Sequence, residues 1–335
     1  MSGDNVIKEF HLFAGIGGGI YGGELLGHEC CAGVEILPYA QSVLRQRQKD
    51  GWMPEFPIYN DICQLNGADF IGDFDILCGG FPCQAFSTAA HGKNIEEKNL
   101  WGEMLRFVKE SDAPVVFAEN VVLRAIDKAK ADLEEVGYKV VRCRLSCSDI
   151  GADHQRNRFW LLAVKDQNVF EKIAKHLTAL PVLKGNYWAT DIKKVGENVE
   201  IEGNTRRKQL LGVGNAQSPF VVAAAFRILA NRFLNEKFDG DEIVSKDEIL
   251  NVFDVKPTWI QNEFNNIGLL HTPTTMANYS CPSMMKHQGC RNFKEVFGRP
   301  NPSNAEYLMG FPIGASNPSP INNSNFINWK TYGQE

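Results

Sequence analysis

The chain has 335 residues, 44% of them hydrophobic and 22% charged, with a formal net charge of −5. That length suits one large domain, or one large and one small, and the composition is that of a globular protein rather than a disordered or fibrous one. No apolar run is long enough to span a bilayer.

Nine cysteines, an odd number without disulfide-like spacing, fit reduced thiols in a cytosol. The opening MSGDNVIKEFHLF lacks the basic-then-apolar pattern of a signal peptide, so a cytoplasmic location is expected. Net acidity argues mildly against a nucleic-acid partner, but docking depends on the local field, and a basic cleft can sit on an acidic body. The nearest basic cluster, Arg206-Arg207-Lys208, is one that any solvated surface could carry.

Residues 10–13 form a short apolar strand candidate with His11 inside it, followed by Ala14-Gly15-Ile16-Gly17-Gly18-Gly19. A strand running into glycines and then a helix lets backbone approach a cofactor, with helix amides facing it. Alone such a turn is weak, because several nucleotide-binding folds and plain tight turns share it. The helix ends at 24–27, and 31–35 reads as a second strand ending in Glu35. An acid there can accept hydrogen bonds from ribose hydroxyls; the alternative is an exposed strand-end carboxylate. A helix over 38–49, with Pro38 in its first turn, leads to residues 57–62, where Asn60-Asp61 is turn chemistry.

Residues 74–78 read as a buried parallel strand ended by Gly79-Gly80. Pro82 then stiffens the backbone, so Cys83 sits on a turn beyond the strand's carboxyl end, where ligands collect in open α/β sheets. Taken alone, Cys83 is a small buried apolar residue, as most free cysteines are. The polar stretch 85–99 suits a surface loop, and 100–109 an amphipathic helix. Residues 114–118 form an apolar strand ending in Glu119-Asn120-Val121. A carboxylate in that place must be solvated, paired or kept protonated. A helix over 125–136 and an alternating strand over 138–145 follow. Arg156 and Arg158, on an extended segment, are expected to point the same way ahead of the strand 161–164.

Residues 166–204 are polar with little periodicity, and 210–219 read as a Gly-Asn turn opening a strong helix over 220–233. Beyond it, 246–255 and 258–266 are two short helix candidates, read as a packing hairpin. Cys281, His287 and Cys290 lack paired Cys-x-x-Cys spacing, so no metal is expected. The Asn-, Ser- and Pro-rich tail after 312 reads as loop or disorder.

Pro82-Cys83-Gln84 after two glycines, with Phe86-Ser87 following, resembles the nucleophile motif of the DNA (cytosine-5-)-methyltransferase family. That family's other motifs appear in order. They are Phe-x-Gly-x-Gly from Phe13, Asp61-Ile62, Glu119-Asn120-Val121, the two arginines of Gln-x-Arg-x-Arg, and Gly214-Asn215-Ala216. His154 stands where the family's glutamine usually sits. The run 270–312 more faintly resembles a C-terminal segment of some members.

The resemblance implies an α/β fold: a Rossmann-like S-adenosylmethionine-dependent methyltransferase sheet with a small target-recognition domain and a C-terminal extension. Its implied divisions are a catalytic domain over 1–165, target recognition over 166–209, the returning final-motif helix over 210–236, and an extension over 237–335 that assists target reading. S-adenosylmethionine is the implied cofactor, held by Phe13, Gly15, Ile16, Gly18, Glu35, Asp61, Ile62, Pro82 and Asn215. Asp61 would take the adenine amino group, with Ile62 against the ring. The implied catalytic residues are Cys83, adding to cytosine carbon 6, and Glu119, at ring nitrogen 3. Arg158 would hold the oxygen on carbon 2, and Arg156 would orient the site or a phosphate. Ser87 would touch a phosphate from a loop that closes over the base.

The implied substrate is double-stranded DNA with the target cytosine flipped out. A cognate restriction endonuclease is a candidate partner, no membrane is involved, and monomer is the default. Three alternatives stand beside this reading. They are the same chemistry on transfer RNA, a catalytically silent relative, and a nicotinamide oxidoreductase, which leaves Pro82-Cys83-Gln84 unexplained.

Overall fold

The computed structural model describes residues 6–82, 100–184, 187–189, 203–238, 242–254 and 301–332. Its centre is a seven-stranded sheet of β1 (Lys8–Leu12), β2 (Glu29–Val34), β3 (Ile58–Tyr59), β4 (Ile76–Gly80), β5 (Val115–Asn120), β6 (Lys139–Leu145) and β7 (Arg158–Val164). The spatial order is β3-β2-β1-β4-β5-β7-β6. The first five strands run parallel, and β7 is antiparallel to both β5 and β6. Between consecutive strands lie α1 (Gly18–Leu25), α2 (Pro38–Lys49), α3 (Leu100–Glu110) and α4 (Leu123–Glu135).

Alternation along each strand sorts the side chains into two layers. On β5, Val116 and Ala118 face Met104 and Phe107 of α3 and Ala125 and Leu133 of α4. Val115 and Phe117 face the opposite layer, with Ile20 of α1 and Phe226 of α7 (Pro219–Leu234). The same alternation puts Glu119 on the α1 and α7 side. A parallel sheet covered on both faces is the doubly wound architecture expected from the sequence.

Several local expectations are corrected. The strand read over 74–78 is shifted and runs through both glycines to Gly80. Gly80 is in register with Glu119, and a Cβ there would stand 2.9 Å from a Glu119 carboxylate oxygen. Bare backbone is therefore required inside the strand rather than at its end.

The stretch 166–204 is not uniformly irregular. It opens with α5 (Gln167–Thr178), capped by the Asp166 side chain accepting from the Asn168 and Val169 amides. Phe170, Ile173, Ala174 and Leu177 form its buried stripe, Lys172 pairs with Asp75 at 3.0 Å, and His176 Nε2 donates to the Leu26 carbonyl at 2.7 Å. Residues 167–178 thus pack on the sheet, which narrows the segment assigned to target recognition.

The Gly-Asn turn is instead the end of a helix, α6 (Gly203–Asn215). Of the helix pair read over 246–266, the described part is α8 (Lys246–Leu250) followed by β9 (Phe253–Asp254), which pairs with β8 (Leu183–Lys184).

The tail is ordered core. Residues 301–332 carry α9 (Pro302–Leu308) and α10 (Ser324–Tyr332), and Phe326 and Trp329 are buried beside Tyr21 of α1. Arg47 of α2 donates to the carbonyls of Gly314 and Ser319 at 3.0 and 2.5 Å, and Tyr39 donates to that of Ser316 at 2.6 Å. Glu306, itself buried, accepts from the Gly314 and Ser316 amides at 2.7 and 2.8 Å. Residues 301–332 thus seat on α1, α2 and α7.

Cys83, Ser87, the loop 85–99, the segment 258–266, Cys281, His287 and Cys290 lie outside the described residues. No helix among the described residues is long and apolar enough to cross a membrane.

Candidate active site

The carboxyl ends of β1, β2, β4 and β5 converge at one edge of the sheet. The turn after β1 is built on left-handed backbone at Phe13 (φ 55°), Gly15 (φ 56°) and Gly17 (φ 94°). Phe13 adopts this without glycine's freedom. Glu35, just past β2, holds the turn: one carboxylate oxygen accepts from the Gly15 amide at 2.7 Å and the other from the Leu37 amide at 2.8 Å. Burial raises its pKa, against the lowering effect of those amides. Glu35 is thus buried and engaged, not an exposed strand end. Each oxygen keeps a second lone pair for a hydroxyl donor.

Ile16 is buried, and a Cβ on Gly212 of α6 would come within 2.9 Å of it. A Cβ on Gly18 would lie 2.2 Å from the Gln217 carbonyl oxygen. The final motif is therefore packed directly on the first, and Asn215 stands exposed at the end of α6 beside the glycine turn. Asp61 caps a single 3-10 turn by accepting from the Cys63 amide at 3.0 Å, and Ile62 is buried. Pro82 is half-buried at the mouth of β4.

Glu119 meets Arg158 across the ends of β5 and β7, with Arg158 Nε 2.9 Å from Glu119 Oε1. This supplies the pairing that a strand-end carboxylate requires. Arg156 does not share the direction of Arg158. Its backbone is left-handed (φ 61°), and its buried guanidinium donates to the Gly214 and Ala216 carbonyls at 3.0 and 2.6 Å. Burial and the nearby Arg158 cation push its pKa down to about 9. The extended segment that would align the two arginines begins only at Arg158. His154 is fully buried, and burial with both arginines pushes it down to about 3, so its ring stays neutral.

Two contributors escaped the sequence reading. Asn120 donates through Nδ2 to the Phe81 carbonyl at 2.8 Å and accepts from the Val122 amide at 2.9 Å. It thereby ties the end of β5 to the backbone entering Pro82. Gln217 reaches Glu119, with Nε2 donating to Oε2 at 3.4 Å. Asn120 was legible only as the middle of a motif, and Gln217 only as a neighbour of Asn215.

Beneath the turn, Glu9 of β1 bridges two imidazoles, 2.8 Å from His11 Nε2 and 2.6 Å from His28 Nδ1. Burial alone would raise its pKa, but the histidines hold it down to about 2. Glu9, His11 and Cys78 are the one set among the described residues whose ligand atoms approach within 4.8 Å. Both Glu9 oxygens are already engaged by the imidazoles.

A doubly wound sheet with a glycine turn after its first strand, an acid after its second and a carboxylate–arginine pair at the ends of two further strands defines an α/β enzyme fold of the nucleotide-cofactor kind. The chain belongs to the C-5 cytosine-specific DNA methylase family, whose model matches residues 7–217. It is 33% identical over 181 residues to Type II methyltransferase M.CviJI of Paramecium bursaria Chlorella virus IL3A, covering 51% of this chain and 47% of that protein. It is 35% identical over 169 residues to Type II methyltransferase M.HhaI of Haemophilus parahaemolyticus, covering 48% of this chain and 50% of that one. The chain thus spans about half the length of the relatives it matches. The solved S. pombe Dnmt2 methyltransferase aligns over 98% of this chain and 94% of its own, at 17% identity and a TM-score of 0.47.

Proposed function

We propose that the protein is a DNA (cytosine-5-)-methyltransferase that uses S-adenosylmethionine and a covalent Cys83 adduct. The observation that carries this reading is the Glu119–Arg158 pair, set in register with Gly80 and so three residues along the chain from Cys83. The cofactor fits the residues present. Nothing lies within 4 Å of where a Gly15 side chain would point. Glu35 can still accept from hydroxyls, and Ile36 beside it is an apolar side chain left 66% exposed. Phe13, Gly15, Ile16, Gly18, Glu35, Asp61, Ile62, Pro82 and Asn215 would hold the cofactor, which when bound supplies an electrophilic methyl group.

Carbon 5 of cytosine is a weak nucleophile. The Cys83 thiolate adds to carbon 6 and pushes electron density to carbon 5. Glu119 shares a proton with ring nitrogen 3 and so neutralises charge as it develops there. Arg158 both pairs with Glu119 and presents its guanidinium to the carbon 2 oxygen. Once carbon 5 carries the methyl group, loss of its proton restores the ring double bond and expels the Cys83 thiolate. Arg156, committed to two backbone carbonyls, holds the turn around Asn215 instead of a phosphate. Because the base is stacked in a duplex, it must be flipped to reach Cys83. Residues 179–209, left after α5 is assigned to the sheet, are the segment proposed to read the target.

Purified protein, tritiated methyl donor and unmethylated genomic DNA test this reading, with wild type and Cys83→Ser in parallel. Label recovered as 5-methylcytosine with wild type alone is the expected result. Label entering transfer RNA but not DNA would move the substrate to RNA, and transfer to neither would overturn the reading.

A further inference from the structure

Gln217 sits where the first, fourth and fifth strands of the sheet end, and three glycines make room for it. A Cβ on Gly18 would meet its carbonyl oxygen at 2.2 Å, one on Gly19 its Oε1 at 2.7 Å, and one on Gly80 its Nε2 at 3.0 Å. The side chain lines a small internal cavity with Glu9, His11, Gly19 and Cys78. Its amide reaches out of that cavity to Glu119 Oε2 at 3.4 Å.

The other Glu119 oxygen, Oε1, is 2.9 Å from Arg158 Nε. That contact is a close approach of charges without hydrogen-bond alignment, and Oε1 has no aligned donor among the described residues. A charge contact alone leaves a carboxylate free to rotate about its last torsion, which is soft. A donor on the second oxygen removes that freedom.

The backbone carrying Gln217 is itself held. Arg156 Nη2 donates to the carbonyl of Ala216, the residue just before it, at 2.6 Å and to that of Gly214 at 3.0 Å. The two arginines of one short segment therefore converge on the same carboxylate, Arg158 by direct contact and Arg156 through the turn that bears Gln217.

We propose that Gln217 is a positioning residue: with its turn fixed by Arg156, its side-chain amide orients the Glu119 carboxylate so that Oε1 is presented to the reacting base. This rests on the reading of Glu119 as the group that meets the cytosine ring. With Oε2 accepting from the Gln217 amide, Oε1 is the oxygen left to share a proton with the ring.

The test combines kinetics with a direct view of the carboxyl. Gln217→Leu removes the donor, Gln217→Glu replaces it with a like charge, and Gln217→Asn keeps an amide on a shorter stem; thermal unfolding confirms that each folds. The Glu119 side-chain carbon is followed at one fixed pH in 13C-glutamate-labelled protein, its resonance assigned as the one missing from Glu119→Gln. The expected result is a Glu119 resonance displaced in Gln217→Leu and in Gln217→Glu and brought back towards the wild-type position in Gln217→Asn. With it should come a kcat loss of about 10-fold in Gln217→Leu, little change in KM for the methyl donor, and partial rescue of kcat in Gln217→Asn.

A Glu119 resonance unmoved by all three substitutions would overturn the proposal, whatever the substrate. So would equal losses in kcat and in donor affinity, which is the mark of a damaged fold. A resonance that moves in the variants, with a wild-type protein that methylates no nucleic acid, would instead sink the functional reading and leave Gln217 as the residue that orients Glu119.

Discussion

Replacing Glu9 by glutamine removes a buried negative charge from between two imidazoles, keeping side-chain shape while turning one of its two acceptor oxygens into a donor. In the folded protein burial opposes ionisation of this carboxyl, but His28 and His11 prevail and bring its pKa from the ordinary 4.5 to about 2. A folded-state pKa below the unfolded one stabilises the fold in the ionised range. The contribution is complete above about pH 4.5 and fades as pH falls through about 2. That difference corresponds to about 3 kcal/mol at neutral pH and about 1 kcal/mol near pH 3. Urea unfolding of wild type and Glu9→Gln at both pH values measures it. The mutant should be weaker by roughly the larger amount at pH 7, with the gap narrowing at pH 3. A negligible gap at pH 7, or one of equal size at both, would show that the histidines do not hold Glu9 charged. Because Glu9 and His11 stand on β1 directly before the glycine turn, the same mutant should also bind the methyl donor more weakly in calorimetry.

Gly18→Ala drives a methyl group to 2.2 Å from a backbone oxygen that Arg156 helps to fix. It should cost about 1–3 kcal/mol and lose donor binding, read by thermal unfolding and calorimetry together. Arg156→Ala frees the Gly214 and Ala216 carbonyls, each buried against one charged donor. A loss of about 3 kcal/mol is expected, with kcat falling even at saturating DNA; retained stability would contradict the assigned role. Trp329→Ala empties a fully buried site whose indole donates to Gly310 at 2.9 Å. It should cost about 3–5 kcal/mol in urea unfolding, and an unchanged midpoint would mean that the C-terminal segment is not part of the core.

The parallel strands and the helices between them were legible because each declares itself locally. Val115 to Ala118 is an unbroken apolar run, and the helix read over 38–49 has the bounds of α2 because Pro38 opens it. Local signal failed where stability comes from distant partners. The tail after Pro312 is polar by composition, and its order depends on Arg47, Tyr39 and Glu24, residues more than 250 positions away that satisfy its carbonyls and pair with Lys330. The helix α5 was missed for a different reason. Its buried stripe, Phe170, Ile173, Ala174 and Leu177, has helical spacing, but it is interleaved with enough charge to read as a solvated linker.

At the site, residue types were legible and their division of labour was not. An Arg-x-Arg pair on a strand should project both guanidiniums to one face. That rule presumes extended backbone at both positions, and Arg156 is left-handed. The bend sends one cation inward to the turn between α6 and α7 and leaves the other at the mouth with Glu119. No periodicity argument detects a single positive φ on a non-glycine residue, because the tertiary contacts that compensate for it lie about 60 residues further along the chain. The consequence is chemical. A cation desolvated among carbonyls is a poor phosphate ligand but a rigid brace, so the segment braces the turn before Gln217 with one arginine and leaves the other beside Glu119 at the mouth of the site.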